Sequence, residues 1–356
     1  MDNRILPLCR GCLCLLALML MWITGAAAPA AAESRSTAAV PSVKLDAAAD
    51  AAAELPRLQS LLVSWQGELI LERYFNGMTA SRLANIKSAS KSVISALIGI
   101  AIDRGLIASV DQPISSFFPE LLAGNGDSPK REITIEDLLT MRSGLESTSN
   151  RNYGAWVQSS NWVRYALNRP LIRPPGTIMQ YSTGNTHLLS AILTKVTGAS
   201  TWDFAQQSVA KPLGFSLARW TQDPQGIYFG GNNMLMTPRQ MLAFGELYLN
   251  RGQSNSKQII PAQWVAASLI PRTESHREQG RFYGYGWWVR DLAGQQTFYA
   301  WGFGGQFIFL VPELDLVIVT TSSDTVAPER HGHRRTVYDI VEHFIISPIA
   351  AARSAQ

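Results

Sequence analysis

Cysteine is almost absent from this sequence, which has three among 356 residues, all of them within the first 14 positions. Once that leading segment is removed, the remaining chain can form no disulfide bond and offers no thiol for catalysis. Runs of lysine and arginine interleaved with aromatic residues are also missing, and the formal net charge is only +4. The sequence therefore gives no support for a nucleic-acid partner.

Two catalytic patterns are missing as well. The five histidines form no H-x-x-x-H pair, so nothing indicates a histidine metal site, and we expect neither a metal nor a cofactor. The sequence also lacks G-x-S-x-G, the pattern that places a serine nucleophile on a sharp turn between a strand and a helix. A hydrolase of the Ser-His-Asp type is therefore disfavoured.

The first 32 residues have the parts of a secretory signal peptide. Arg4 and Arg10 precede an apolar core over residues 13–23, and small residues follow up to a suitable cleavage site after Ala32. This core is shorter than the roughly 20 residues of a spanning helix; an uncleaved membrane anchor is the alternative. We expect a periplasmic or secreted protein that meets a membrane only through this segment, if it is uncleaved.

Strand patterns at both ends of the remaining chain enclose a helical middle. Two strand-like runs around a turn predict a hairpin over residues 60–75, and further strand patterns follow residue 280. We therefore predict an α+β fold, in which an antiparallel sheet formed by the N- and C-terminal segments is flanked by helices and interrupted by an inserted helical domain. The predicted parts are a signal peptide (1–32), a flexible lead (33–44), a sheet domain (45–111 and 266–347), a helical domain (112–265) and a tail (348–356).

Capping signals mark several of the helices. Thr134 opens an approximate capping box, and Thr237 with Pro238 starts a helix that we expect to end near Gly252. The last helix of the chain is expected to end before Pro348, because proline disfavours a helical conformation in the residue before it.

The helix predicted to begin at Ser88 has lysines in its first turn, where the helix dipole disfavours each by about 0.3 to 1 kcal/mol. In the sequence SASK, Ser88 and Lys91 are three residues apart and share one face of the helix. Lys91 can serve as a base only if its pKa falls well below about 10.4. Burial, the helix N-terminus and a second cation, Lys87, would lower it. The alternative is that Ser88 caps the helix and both lysines are solvated.

SASK is accompanied by other segments that are typical of one superfamily. They are ITIEDLLTMRSGL at 133–145, PPGTIMQYSTGNTHLLSAIL at 174–193, MLMTPRQMLAFGELYLNRG at 234–252, YGYGWWV at 283–289 and WGFGGQFIFLVPE at 301–313. With these segments, residues 55–345 resemble the serine beta-lactamase and penicillin-binding protein superfamily. The resemblance is to the branch related to class C beta-lactamases, which includes esterases and 6-aminohexanoate-dimer hydrolases.

The resemblance implies a mechanism for three residues. Ser88 attacks a carbonyl carbon, and Lys91 and Tyr181 transfer the proton, Tyr181 being the first residue of the family's Tyr-x-Asn motif. Neutral lysine with neutral tyrosine and ammonium with phenolate differ only in the position of one proton. The sequence leaves both arrangements open.

The resemblance also implies substrate-binding positions. Thr183 stands where the Tyr-x-Asn motif has asparagine, and the third motif of the family, Lys-Thr-Gly or a variant with His, falls near Trp301, Gly302 and Phe303, without a cation. Backbone N–H groups of Ser88 and of this strand would bind the oxyanion. The other aromatic residues of the segment 283–288 are expected in the core.

The expected function is that of a serine hydrolase that cleaves short acyl esters or linear amides, such as 6-aminohexanoate oligomers, through an acyl-enzyme on Ser88. A substrate carboxylate would be buried unpaired unless Arg290 or Arg330 reaches the cleft, so beta-lactam turnover is expected to be slow or absent. The alternatives are a beta-lactamase, a D-amino-acid peptidase or carboxypeptidase, and a noncatalytic envelope protein that binds peptide or glycan. The expected partner is a small ester or amide.

Overall fold

The computed structural model describes residues 45–124 and 129–355 of the chain. The predicted signal peptide and flexible lead lie outside the described residues, so the structure does not test them. In the ranges that it describes, no helix is both long and apolar enough to cross a membrane.

An antiparallel sheet of eight strands forms the centre of the fold, with the strand order β2-β1-β12-β11-β10-β9-β8-β7. The strands in chain order are β1 (Leu58–Trp65), β2 (Glu68–Tyr74), β3 (Ala84–Asn85), β4 (Leu235–Met236), β5 (Gln253–Ser254), β6 (Lys257–Gln258), β7 (Thr273–Glu274), β8 (Phe282–Tyr283), β9 (Trp288–Leu292), β10 (Gln295–Gly302), β11 (Gln306–Val311) and β12 (Leu316–Ser322). Because β1 pairs with β12, the N-terminal hairpin and the C-terminal strands share one sheet. The predicted fold class is therefore confirmed.

Helices cover both faces of this sheet. They are α1 (Asp46–Ala53), α2 (Ser90–Asp103), α3 (Ile135–Leu139), α4 (Tyr153–Val157), α5 (Trp162–Leu167), α6 (Thr183–Thr197), α7 (Thr201–Ala205), α8 (Pro238–Leu249), α9 (Ala262–Leu269), α10 (His333–Asp339) and α11 (Ser347–Ser354). Shorter 3-10 and π-helical turns connect some of them, and one 3-10 turn, Lys87–Ala89, leads into α2.

Side-chain caps start the predicted helices where the sequence places them. The Thr134 hydroxyl accepts from the Asp137 amide in a complete capping box at α3. A second capping box, between Thr237 and Gln240, opens α8 with proline in the first turn. These local signals are therefore reliable, because cap and helix lie within a few residues of one another.

Two of three element boundaries differ from those predicted. The strand expected over 281–291 is broken between β8 and β9, where Gly286 has φ of 82° and a Cβ on Gly284 would lie 2.3 Å from the Ser268 carbonyl oxygen. The helix capped by Thr237 ends at Leu249, and the Gly252 amide donates back to the Leu247 carbonyl oxygen at 2.7 Å, so the end predicted near Gly252 is confirmed. The C-terminal helix continues past Pro348, because α11 follows the π-helical segment Ile340–Ile346 without a break in helical backbone angles.

Two buried clusters hold the layers together. The larger cluster combines sheet residues such as Leu62 and Val317 with helical residues such as Leu138 and Leu188. The smaller one, on the other face, contains α1 and the C-terminal helices. Gly245 brings α8 close to the sheet, since a Cβ there would lie 2.6 Å from a methyl group of Val317.

Candidate active site

Ser88 lies in the tight 3-10 turn that precedes α2, so it is not the helix cap that the alternative interpretation required. Its neighbour Lys87 has φ of 50°, a left-handed conformation that lysine rarely adopts. Strand β10 packs closely against this turn, because a Cβ on Gly302 would lie 2.1 Å from the Ile86 carbonyl oxygen. The turn therefore holds Ser88 at the edge of a cleft beside β10.

Lys91 lies directly beneath Ser88 and is only 1% exposed. Its Nζ is 3.0 Å from Ser88 Oγ and donates to the Gly231 carbonyl oxygen at 2.6 Å. The hydroxyl of Thr183 is 3.4 Å from the same nitrogen. The amine is thus buried among neutral oxygen atoms, and the interpretation of Lys91 as a solvated lysine is wrong.

Burial lowers the pKa of Lys91 to about 7. About half of the molecules therefore have a neutral amine at pH 7, and the shift corresponds to about 5 kcal/mol of desolvation. Lys87, which the sequence offered as a second cation, is instead paired with Asp324 at 2.8 Å. The shift is thus caused by burial.

Tyr181 lies beside the lysine and the serine. The Lys91 nitrogen is 5.2 Å from the centre of its ring, and the ring stacks on Trp288 at a centroid distance of 5.8 Å. Burial raises the pKa of Tyr181 to about 12, although a hydrogen bond with Ser88 and the charge of Arg281 act in the opposite direction. The phenol is therefore protonated at neutral pH and can donate its proton.

Thr183 begins α6 and connects the lysine to a second hydroxyl. Ser149 Oγ accepts from the Thr183 amide at 2.9 Å and is 3.1 Å from Thr183 Oγ1. Ser149 was missed by the sequence reasoning, because it lies in an irregular segment 34 residues before Thr183 and belongs to no motif. Its position depends on tertiary packing alone.

A cavity of about 630 Å³ opens above Ser88. Of the predicted residues, Ser88, Tyr181, Thr183, Trp301 and Phe303 line it, while Lys91 lies below and Gly302 contacts the turn of Ser88 through the backbone, as described above. The structure therefore brings all the predicted site residues to one place.

Further residues line this cavity without having been predicted. Trp288 does so, although we expected it in the core; its neighbour Trp287, at 0% exposure, is a core residue as predicted. Tyr153 and Asn232 also line the cavity, and the Asn232 side-chain amide donates to the Tyr153 hydroxyl at 2.8 Å. Nothing in the sequence distinguishes Tyr153 and Asn232 from ordinary helix and loop positions.

Cations do reach the cleft, contrary to the expectation from the third motif. The residues that line the cavity include Arg281 and Arg334. Arg290 does not line the cavity and donates to Glu278 at 2.9 Å, and the side chain of Arg330 lies outside the part that the structure describes. The suggestion of Arg290 is therefore wrong, because the arginines that line the cavity, Arg281 and Arg334, come from other parts of the chain and converge on Trp301.

No metal site accompanies these residues in the ranges 45–124 and 129–355, where no three His, Cys, Asp or Glu side chains could together hold an ion. The chemistry that the described residues offer is that of a serine hydroxyl, a buried amine and a phenol within reach of one another. Such an arrangement can transfer a proton from a nucleophile to a leaving group.

The chain is similar to known proteins over most of its length. The model of the beta-lactamase family matches residues 51–342. A 6-aminohexanoate-dimer hydrolase of Paenarthrobacter ureafaciens is 28% identical over 342 residues, which cover 86% of this chain and 85% of the relative.

Two solved structures have the same fold. A D-stereospecific amidohydrolase from Streptomyces sp. superimposes with a TM-score of 0.66 at 16% identity, covering 85% of this chain and 99% of the other. EstCE1, a hydrolase with promiscuous acyltransferase activity, gives a TM-score of 0.68 at 18% identity, covering 84% and 96%. Since the family model spans most of the chain, the protein belongs to the beta-lactamase family and is a hydrolase.

Proposed function

We propose that this protein is a serine hydrolase that forms an acyl-enzyme on Ser88 and cleaves short acyl esters or linear amides. The observation that carries the proposal is the 3.0 Å contact between Ser88 Oγ and Lys91 Nζ, in which the amine is buried and its pKa is near 7. A neutral amine at this distance can accept the serine proton directly, because it does not first have to release a proton of its own to water.

The proposed reaction has two stages. Ser88 Oγ attacks the carbonyl carbon as Lys91 accepts its proton; the tetrahedral intermediate then collapses, and Tyr181 protonates the departing alcohol or amine and recovers a proton from Lys91. Backbone N–H groups of Ser88 and of the Trp301–Phe303 segment would stabilise the oxyanion. Water then attacks the acyl-enzyme with Lys91 and Tyr181 in the reverse roles, releasing the acid and restoring Ser88.

The pKa directions favour one of the two proton arrangements. A lowered lysine pKa and a raised tyrosine pKa both stabilise the uncharged forms. The proposed resting state is therefore neutral lysine with neutral tyrosine.

The substrate class rests on the cavity and on the relatives. A volume of about 630 Å³ suits a small molecule, and the walls near Ser88 include the rings of Tyr181, Trp288 and Trp301. The similarity to a 6-aminohexanoate-dimer hydrolase supports linear amides. The family match also keeps a beta-lactamase or D-amino-acid peptidase as the alternative.

The test combines active-site labelling with turnover. Ser88→Ala should abolish labelling by a fluorophosphonate probe and hydrolysis of p-nitrophenyl butyrate and the 6-aminohexanoate dimer. Ser92→Ala is the matched control, because the Ser92 hydroxyl donates to the Gly286 carbonyl at 2.7 Å and does not line the cavity.

Full turnover by Ser88→Ala would contradict the mechanism, and a wild-type protein that is neither labelled nor active would favour the noncatalytic alternative. Faster turnover of nitrocefin than of both other substrates would favour a beta-lactamase.

We also propose that the chain is exported and that its mature form begins near Glu33, on the evidence of the sequence of residues 1–32. The test is the intact mass of the protein recovered from its natural host. A soluble cytoplasmic form that retains Met1 to Ala32 would contradict this proposal.

A further inference from the structure

Two arginines lie on tryptophan rings along one wall of the cavity. The guanidinium of Arg281 is 4.4 Å from the centre of the Trp288 ring, and that of Arg334 is 5.0 Å from the centre of the Trp301 ring. All four side chains line the cavity that contains Ser88. We call these four residues the arginine wall.

The arginine wall has more positive than negative charge. Glu278 is the acid beside it, and its two carboxylate oxygens lie 2.7 Å from Arg281 Nη1 and 2.9 Å from Arg290 Nη1. One carboxylate is thus shared between two guanidinium groups, and Arg334 adds a third. Asp324, which also lines the cavity, is paired with Lys87. An excess of positive charge therefore faces the cavity.

Arg281 is held in place but incompletely bonded. It is 4% exposed, and its Nη2 donates to Ser275 Oγ at 3.2 Å. Within the described residues, its Nε and Nη1 have no acceptor in hydrogen-bond geometry, although Nη1 is at ion-pair distance from Glu278. Buried donors are rarely left unpaired. A guanidinium has the geometry to bind a carboxylate through two parallel hydrogen bonds.

The arginine wall adjoins the catalytic residues through stacked rings. Trp288 packs on Tyr181 at 5.8 Å and on Trp301 at 6.1 Å between ring centroids. A substrate that reaches the wall can therefore keep its carbonyl group near Ser88 if a short apolar chain runs along these rings.

We propose that the arginine wall binds a carboxylate of the substrate, so that the preferred substrates are linear amides or esters with a free carboxylate at the end of a short apolar chain. This inference rests on the proposed function. It reverses the expectation, drawn from the third motif alone, that an anionic substrate would be left unpaired.

Binding can be measured without catalysis in the Ser88→Ala variant. Isothermal titration calorimetry would compare N-acetyl-6-aminohexanoate with its neutral counterpart, N-acetyl-6-aminohexanamide. The reversed amide N-methyladipamate and its neutral diamide cover the opposite orientation of the amide bond. In at least one pair we expect the carboxylate to bind about tenfold tighter or more, because a charge-assisted hydrogen bond contributes that much. Salt should weaken this preference.

The arginines are tested by substitution in the same background. Arg281→Gln should abolish the preference for the carboxylate, and Arg281→Lys should restore part of it. Arg334→Gln, at an exposed position, should weaken the preference and covers the case in which Arg281→Gln does not fold. The matched control is Arg272→Gln, since Arg272 lies 4.1 Å from the Tyr285 ring but does not line the cavity.

The outcomes separate this inference from the proposed function. Equal binding of charged and neutral members of both pairs would overturn the inference, as would a preference that survives both Arg281→Gln and Arg334→Gln. The wild type could also hydrolyse none of the esters or amides while the carboxylate preference still depends on these arginines. That result would support the binding site and overturn the proposed hydrolysis.

Discussion

The buried amine of Lys91 determines how the site responds to pH. Because its pKa is about 7, the fraction of neutral base rises from pH 6 to pH 8. We expect kcat/KM for an uncharged ester such as p-nitrophenyl butyrate to rise with an apparent pKa near 7 and then to stay level, since the pKa of Tyr181 is about 12. A pH–rate profile from pH 5 to pH 10 measures this, and a profile that falls between pH 6 and pH 8 would contradict the role of a neutral lysine.

Lys91→Arg provides the control for that profile. Arginine keeps its charge over the whole range, so it can fill the site but cannot accept the serine proton. The variant should lose activity by at least about a hundredfold at every pH, in line with the usual contribution of a general base. Activity that recovers at high pH in this variant would point to a different base.

The same lysine makes stability depend on pH. Its pKa is about 7 in the folded protein, against 10.5 as the ordinary value. Between these values the unfolded chain binds a proton that the folded chain does not, so the free energy of unfolding rises with pH by about 1.4 kcal/mol per unit. Lys91→Met lacks this contribution. The difference in unfolding free energy, wild type minus variant, should therefore increase from pH 7.5 to pH 9.5.

Urea unfolding at pH 7.5, 8.5 and 9.5 would measure that difference. Lys211→Met is the matched control, because Lys211 is exposed and its difference from the wild type should stay flat. A flat difference for Lys91→Met as well would mean that the amine is charged in the folded protein at all three values.

Helix α6 and the loop before β4 together hold Lys91 in position. The carbonyl that accepts from Lys91 belongs to Gly231, and the amide of the preceding Gly230 donates to His187 Nδ1 at 3.4 Å. The other ring nitrogen of His187 is 3.0 Å from Asp223 Oδ2, and both side chains are fully buried. Because Nδ1 accepts, the ring proton is on Nε2 and is donated to Asp223. This chain of bonds fixes the loop against the helix.

Asp223→Asn tests that chain. An asparagine NH₂ facing Nε2 would favour the other tautomer of His187, which cannot accept from Gly230. We expect kcat/KM to fall about tenfold, since about 1.4 kcal/mol of positioning is lost, with labelling of Ser88 slowed in parallel. Asp203→Asn is the control, because Asp203 accepts from Ser200, the N-cap of α7, and does not line the cavity. An equal loss in both variants would indicate a general structural effect.

Features that lie within one helix, strand or turn could be predicted from the sequence, whereas contacts between distant elements could not. The hairpin before Ser88, the capping boxes at Thr134 and Thr237 and the S-x-x-K pair are local, so their geometry is fixed within a few residues. The Gly231 carbonyl and the guanidinium of Arg281 reach the site from positions 140 and 190 residues after Lys91 in the chain. Their convergence depends on packing between elements, and no local pattern encodes it.

At the scale of the whole molecule, one core crosses the predicted domain boundary. The larger buried cluster includes Leu62 and Ile308 from the sheet as well as Trp156 and Leu189 from the helical middle. These residues belong to one buried cluster, so unfolding of the helical part alone would expose the face of the sheet that it covers. Ser88 and Lys91 lie beside this shared region, since α2 contributes Val93 and Leu97 to the same cluster.

We therefore expect the two parts to unfold in one transition. Hydrogen exchange monitored by mass spectrometry, at increasing urea, would compare peptides from β12 with peptides from α6, both of which are largely buried. The most protected amides of both should exchange with the same free energy and the same dependence on urea, because each opening exposes the common core. Loss of hydrolysis should coincide with that transition. If α6 exchanges at distinctly lower urea while β12 stays protected, the helical part is a separate folding unit. The side of the site that contains Thr183 and Tyr181 would then be lost before the side that contains Ser88.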